Sequence, residues 1–416
     1  MTVAGQPAVN YSYDADGHLT QITQGSSSVS FGYDANGRRT LLTLPNGVVV
    51  SYSYDGASQL TALNYALGGA TLGNLAYNYD LAGRRTGATG SFARTGLPNP
   101  VSAAAYNADN QLTQWGAATL SYDLNGNMTS DGAHSYTWDA RNHLAQMDAG
   151  ATASFVYDAL GRRASKTILG AQTGFLYDGV NPVQELSGTT VTANLLTGRV
   201  DEYFQRTDSS GARSFLTDAL GSTLALADST GTIQTQYTFE PFGNTTPSGA
   251  ATTNSFAYTG RELNGTGLYY YRARYYDPQL GRFISEDPLG LRSGDVNFYA
   301  YVSNDPTNLI DPFGLNSIPM PWPWPLPITR PPIAIPSPIV GVIGGVIGEL
   351  IFPQATAIDD ARAIPKCKGD SERERNRCRQ AKENCIDDCL DFLGIGDHGA
   401  AFHRCVRECM DQEGCP

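Results

Sequence analysis

An aromatic residue followed by aspartate, two variable residues and usually a glycine returns about every twenty residues between Tyr13 and Asp218. Full copies are Tyr13-Asp14 with Gly17, Tyr33-Asp34 with Gly37, Tyr79-Asp80 with Gly83, Tyr122-Asp123 with Gly126, and Tyr157-Asp158 with Gly161. Weaker copies start at Tyr54-Asp55, Tyr106-Asn107, Trp138-Asp139, Tyr177-Asp178 and Thr217-Asp218. Several copies continue into a basic pair, such as Arg38-Arg39, Arg84-Arg85 and Arg162-Arg163. Alternating strands such as 50–54 run into the aspartate, and Asp/Asn-x-Gly supplies a turn residue free to take positive φ. Each unit therefore reads as a β-hairpin. One hairpin of this size is marginal in water, so the units must stack. The tyrosine ring is expected to pack on the neighbouring hairpin, with its hydroxyl reaching the wet face.

Composition agrees with strands and excludes other classes. Tyr numbers 23, Gly 45 and Pro 23, and only 16% of residues are charged. This mixture is poor for long helices, which rules out a helical bundle or coiled coil for most of the chain. Hydrophobic residues make up 41%, enough for a large core and against general disorder. The net charge is −12: residues 1–315 carry 17 Lys+Arg against 26 Asp+Glu, and the remainder 11 against 14. Neither part has the basic excess that a phosphate backbone rewards, so nucleic acid is disfavoured as main partner. The N-terminus lacks the basic start and apolar run of a secretion signal, and the repeats begin at once. The chain is accordingly expected to be the C-terminal piece of a longer protein or a shortened remnant.

A second signature follows the repeats. Residues 270–291 run Tyr270-Tyr271-Arg272-Ala273-Arg274-Tyr275-Tyr276-Asp277-Pro278, then Gly281-Arg282-Phe283, then Asp287-Pro288-Leu289-Gly290-Leu291. Asn297, Tyr299, Tyr301, Asn304 and Pro306 lead on to Asp311-Pro312-Phe313-Gly314-Leu315. With the Tyr-Asp repeats, this ordered run resembles the Rhs family and its Rhs-associated core, which are similar to the teneurins and to the C subunits of insecticidal toxin complexes. The resemblance covers about residues 10–315. It implies a mainly β fold, a spiral shell of stacked hairpins around an internal cavity.

The two Asp-Pro-x-Gly-Leu segments place aspartates 24 residues apart. Proline holds the preceding aspartate extended and glycine permits a reversal just after it, so each motif presents a carboxylate beside a tight turn. Brought together, two such carboxyls cannot both ionise comfortably: one keeps a proton while the other activates water, and no metal is needed. The bland alternative is that both are turn formers. The resemblance implies self-cleavage after the second motif, between Leu315 and Asn316, with Asp287 and Asp311 on the paired catalytic positions. Arg274 and Arg282 are candidates to orient the carboxylates or the scissile carbonyl, the alternative being arginine–tyrosine stacks in the wall. No cofactor is called for.

Beyond Leu315 the composition changes. Residues 319–338 hold nine prolines, a polyproline spacer, and residues 339–352 form an apolar glycine-containing stretch too short to span a bilayer. All seven cysteines lie between Cys367 and Cys415. Two helices are expected, from about Ser371 to Phe392 and from about His398 to Gln412. Cys385 and Cys389 sit one turn apart on the first, Cys405 and Cys409 on the second. In an antiparallel hairpin they pair as Cys385–Cys409 and Cys389–Cys405, with Cys378–Cys415 as a third rung and Cys367 left over. Zinc, with His398 and His403 as further ligands, and reduced thiols are the competing readings.

The resulting division is 1–257 repeat shell, 258–315 core with the cleavage site, 316–365 linker and apolar segment, and 366–416 a disulfide-stapled helical hairpin. By resemblance the tail is a variable toxin, its identity open, carried as cargo by a secreted or surface-exposed shell engaged in interbacterial competition. An immunity protein, a delivery machine and a target-cell surface or membrane are the partners so implied. A structural or adhesive surface protein with a non-enzymatic tail is the alternative.

Overall fold

In a computed structural model, which describes residues 1–3 and 5–319, the repeats build two long antiparallel meanders. Eight consecutive strands from Val9–Tyr13 to Arg85–Thr89 form the first sheet. Twelve consecutive strands from Tyr136–Trp138 to Thr245–Gly249 form the second. Small sheets between them hold residues 104–130. The first sheet buries Ile22, Val29, Leu42, Val50, Leu63 and Tyr65 against Leu196, Phe204, Leu216 and Leu224 of the second. The expected polyproline linker, apolar segment, helical hairpin and all seven cysteines lie outside the described residues.

The turn chemistry explains why the motif recurs. In Tyr33–Arg39 the Asp34 amide donates to the Arg38 carbonyl at 2.9 Å, and the Gly37 amide donates to the Asp34 carbonyl at 2.9 Å. The Asp34 carboxylate accepts the Asn36 and Arg38 amides at 3.0 Å each, replacing water on the loop's inner donors. Gly37 closes the loop at φ 73°; where glycine is absent, Ser58, Asn110 and Asn142 take φ 60–64° in its place. The ladder register slips by one residue at the tyrosine, as between Gly32 and Tyr33 or Asn78 and Tyr79. That bulge twists each hairpin onto the next.

Contrary to the expectation from sequence, the tyrosine hydroxyl does not reach the wet face. It crosses to the preceding hairpin and donates to a main-chain carbonyl there: Tyr33 to Leu19 at 2.9 Å, Tyr54 to Arg39 at 2.9 Å, Tyr79 to Leu60 at 2.8 Å, Tyr157 to Leu144 at 2.7 Å. Trp138 does the same with its indole N–H, to Met128 at 2.8 Å. A carbonyl covered by the aromatic ring needs a donor, and the hydroxyl is within reach. Each such bond is worth about 1 kcal/mol.

The basic residues divide the labour. The first pairs with its own loop aspartate and lies over the next tyrosine: Arg38 with Asp34 and Tyr54, Arg162 with Asp158 and Tyr177. His18 and His143 hold the same position over Tyr33 and Tyr157. The second reaches far along the chain. Arg39 pairs with Glu202 at 2.6 Å, and the fully buried Arg163 pairs with Glu262.

Residues 258–315 close the fold as a small four-stranded sheet, Glu262–Leu263, Tyr269–Tyr271, Arg274–Asp277 and Arg282–Phe283. Its faces are aromatic. Tyr269, Tyr271, Tyr276, Phe283 and Tyr301 form one cluster, while Tyr270 and Tyr275 pack against Leu144, Met147 and Phe155 of the second sheet. Among the described residues no helix is long and apolar enough to cross a membrane.

Candidate processing site

Arg274 opens the strand Arg274–Asp277, directly after a turn in which Arg272 takes φ 60°. The strand buries the Arg274 guanidinium face-on to the Phe283 ring, 3.6 Å from its centroid. Four acceptors surround it. Nη2 lies 2.7 Å from Asp287 Oδ2 and 3.6 Å from Asp311 Oδ2. Nε donates to the Gly314 carbonyl at 2.6 Å and Nη1 to the Phe298 carbonyl at 2.9 Å. The two aspartates, 24 residues apart in sequence, thus meet at one cation in the interior, 7% and 3% exposed.

Both Asp-Pro-x-Gly-Leu segments are turns fastened by their own carboxylates. Asp287 Oδ1 accepts the Leu289 amide at 2.8 Å. Asp311 Oδ1 accepts the amides of Phe313 at 3.3 Å, Leu315 at 3.0 Å and Asn316 at 3.3 Å. The last of these is the nitrogen of the Leu315–Asn316 peptide bond. Leu315 is half-buried and Asn316 exposed. The segment is clamped on both sides: the Ala273 amide donates to the Phe313 carbonyl at 3.1 Å, and Ile318–Pro319 turns back to pair with Leu309–Ile310. Gly314 adopts φ 69° with its Cα facing the Tyr271 carbonyl, where a Cβ would sit 2.4 Å from that oxygen. Only glycine fits.

Burial raises the Asp287 and Asp311 carboxyls above the ordinary carboxylate range, and Arg274 opposes the shift in both. Burial also lowers the Arg274 guanidinium to about 10, against the pull of both aspartates. Desolvation therefore outweighs attraction on both sides of the pair. One cation with one ionised and one protonated carboxyl is neutral; two ionised carboxyls would leave a net buried charge, which low-dielectric surroundings penalise.

Arg282 is placed elsewhere. Its guanidinium stacks between Tyr106 and Tyr299, 5.3 and 5.0 Å from their ring centroids, and Nη2 donates to the Asn110 carbonyl at 2.5 Å. Pairing in the small sheet alternates its side chain away from Arg274, so it supports the wall and orients neither carboxylate. A contact that sequence reasoning did not assign is Arg272. It donates to the Pro312 carbonyl, lies over Phe313, and is held by Asp201 at 2.7 Å. Asp201 stands 71 residues upstream with no motif around it, so only the fold could reveal that anchor. Among the described residues, the one group of side chains with metal-ligand spacing is Asp14, Asp16 and His18, an exposed repeat turn remote in sequence from this site.

Residues 46–307 match the family described as Teneurin YD-shell, and residues 13–49 match RHS Repeat. The chain is 35% identical over 252 residues to the tRNA3(Ser)-specific nuclease WapA of Bacillus spizizenii, covering 57% of this chain and 11% of that protein. It is 29% identical to Double-stranded DNA deaminase toxin A of Burkholderia cenocepacia, over 64% of this chain and 22% of the relative. The crystal structure of TcdB2-TccC3-Cdc42 is similar over 74% of this chain and 20% of that one, with a TM-score of 0.56 at 22% identity. The last likeness concerns fold. The chain thus spans about a tenth to a fifth of the length of these proteins.

Proposed function

Because the chain belongs to the teneurin YD-shell family, we propose that it is the closing part of a polymorphic-toxin shell that releases its own C-terminal segment by cutting the Leu315–Asn316 bond. The observation that carries this reading is the position of Asp311: its carboxylate touches the Asn316 nitrogen while Arg274 ties it to Asp287. The named relatives are a tRNA-specific nuclease and a DNA deaminase toxin, and they support a cargo role for the segment beyond Leu315. Secretion and delivery partners belong to the same reading.

In the reaction, Asp287, ionised beside Arg274, takes a proton from water as the oxygen attacks the Leu315 carbonyl carbon. The tetrahedral intermediate returns a lone pair to the Asn316 nitrogen. Asp311 gives that nitrogen a proton, the C–N bond breaks, and a Leu315 carboxyl and an Asn316 amine result. Afterwards Asp287 holds the proton and Asp311 is ionised, so one proton still serves the pair. Arg274 fixes the Gly314 carbonyl one residue before the cut and keeps the scissile bond in register with both carboxyls. Intramolecular placement supplies the high effective concentration such a weakly activated site needs.

Replacement of either aspartate tests the reading. Asp287→Asn and Asp311→Asn should leave the chain full-length on a denaturing gel. Glu286→Gln, adjacent in sequence but directed at Tyr299, should cleave like the parent. Cleavage of Asp287→Asn at the parental rate would refute the assignment.

A further inference from the structure

Away from the carboxyl pair, the small sheet meets the second meander through a belt of ion pairs, buried at Arg163, Glu262, Arg261 and Asp201. Glu262 accepts from Arg163 and, at 2.7 Å, from Lys166. Asp201 accepts from Arg261 and from Arg272, and Arg162 is matched by Asp158 at 2.8 Å. Of these groups, three cations, Arg162, Arg261 and Arg272, and one carboxylate, Glu262, meet at one place. Between them lies a cavity of about 20 Å³ whose lining includes Arg162, Tyr203, Arg261, Glu262, Tyr270 and Arg272. That is room for one water or one small ion.

Two residues that line this cavity carry a donor without a hydrogen-bond partner among the described residues, the Tyr203 hydroxyl and Arg272 Nε. Tyr203 is 4% exposed, and burial pushes its hydroxyl well above the ordinary range, so it remains a donor. A buried donor without an acceptor is costly, and both orphans here are donors. Water could satisfy them, since each Glu262 oxygen accepts one bond and keeps a lone pair, but it leaves the positive charge around the cavity unbalanced. An anion brings acceptor capacity and offsets the surplus positive charge. Phosphate or a carboxylate is too large.

We propose that this cavity binds a single halide-class anion, held by the Tyr203 hydroxyl and Arg272 Nε. The ion braces Arg272, whose other nitrogens hold Asp201 and the Pro312 carbonyl, and so stiffens the turn that carries Asp311. The site is separate from the carboxyl pair and is tested without reference to cleavage.

Thermal unfolding of the full chain is measured in sodium chloride or bromide and in sodium gluconate at equal ionic strength, gluconate being too large to enter. The halides should raise Tm by about 2–4 °C. Tyr203→Phe should fold and lose that increment. Crystals soaked in bromide should show an anomalous peak within hydrogen-bond reach of Tyr203 Oη and Arg272 Nε. Equal Tm in halide and gluconate, a halide increment surviving in Tyr203→Phe, or a water without anomalous signal at that position would each overturn the proposal.

Discussion

Replacing Arg274 by glutamine removes the one cation within ion-pair distance of Asp287 and Asp311 among the described residues. It also takes donors from the Gly314 and Phe298 carbonyls. The carbonyl loss, about 1–3 kcal/mol per group left without a donor, does not depend on pH. The carboxylate loss does: removing one partner of a buried pair costs about 3–5 kcal/mol while the other stays charged. Both carboxyls already have raised pKa values in the folded chain, and loss of Arg274 raises them further. Between the unfolded carboxyl pKa of about 4 and the higher folded value, the folded state holds more protons than the unfolded one. Stability therefore falls as pH rises through that window. Arg274→Gln should lie below the parent at pH 4.5 and much further below it at pH 7.5. Urea unfolding followed by the β-sheet circular dichroism signal, which the fragment 1–315 also carries, measures both. A gap of the same size at the two pH values would show that the carboxylates are not what Arg274 serves.

Gly314→Ala should lower stability by about 1–3 kcal/mol and abolish cutting, because a Cβ meets the Tyr271 carbonyl at 2.4 Å in a left-handed backbone. Thermal melts and a gel read both effects. Tyr79→Phe should cost about 1 kcal/mol through the lost bond to the Leu60 carbonyl. Tyr13→Phe, at a ring 51% exposed, should cost nothing measurable in the same melts. For the tail, non-reducing mass spectrometry should recover Cys378–Cys415, Cys385–Cys409 and Cys389–Cys405, whereas stoichiometric zinc with every thiol reduced would refute that pairing.

The hairpins were legible in the sequence because their chemistry is local: an aspartate capping its own loop and a residue at positive φ appear within five positions, as in Tyr33–Arg39. The hydroxyl direction of the repeat tyrosines was not legible. It depends on a carbonyl in the previous hairpin, 13 to 19 residues away in the tyrosines named above. The repeated Asp-Pro-x-Gly-Leu motif marked Asp287 and Asp311, the family resemblance implied that they pair, and Arg274 could be named as one of two candidates. Which arginine reached the pair was decided by strand register, since Arg274 and Arg282 lie on adjacent strands with opposed surroundings. Asp201, which anchors Arg272, carried no sequence signal because its partners are 60 and 71 residues distant.

Intact-mass analysis of the purified chain, folded and incubated in ¹⁸O-water, tests the central claim most directly. The account predicts two products: a fragment ending at Leu315 with one ¹⁸O in its new carboxyl, and a fragment of 101 residues beginning at Asn316. A chain that stays whole while its β-sheet signal is intact, or a cut at any other bond, would contradict it.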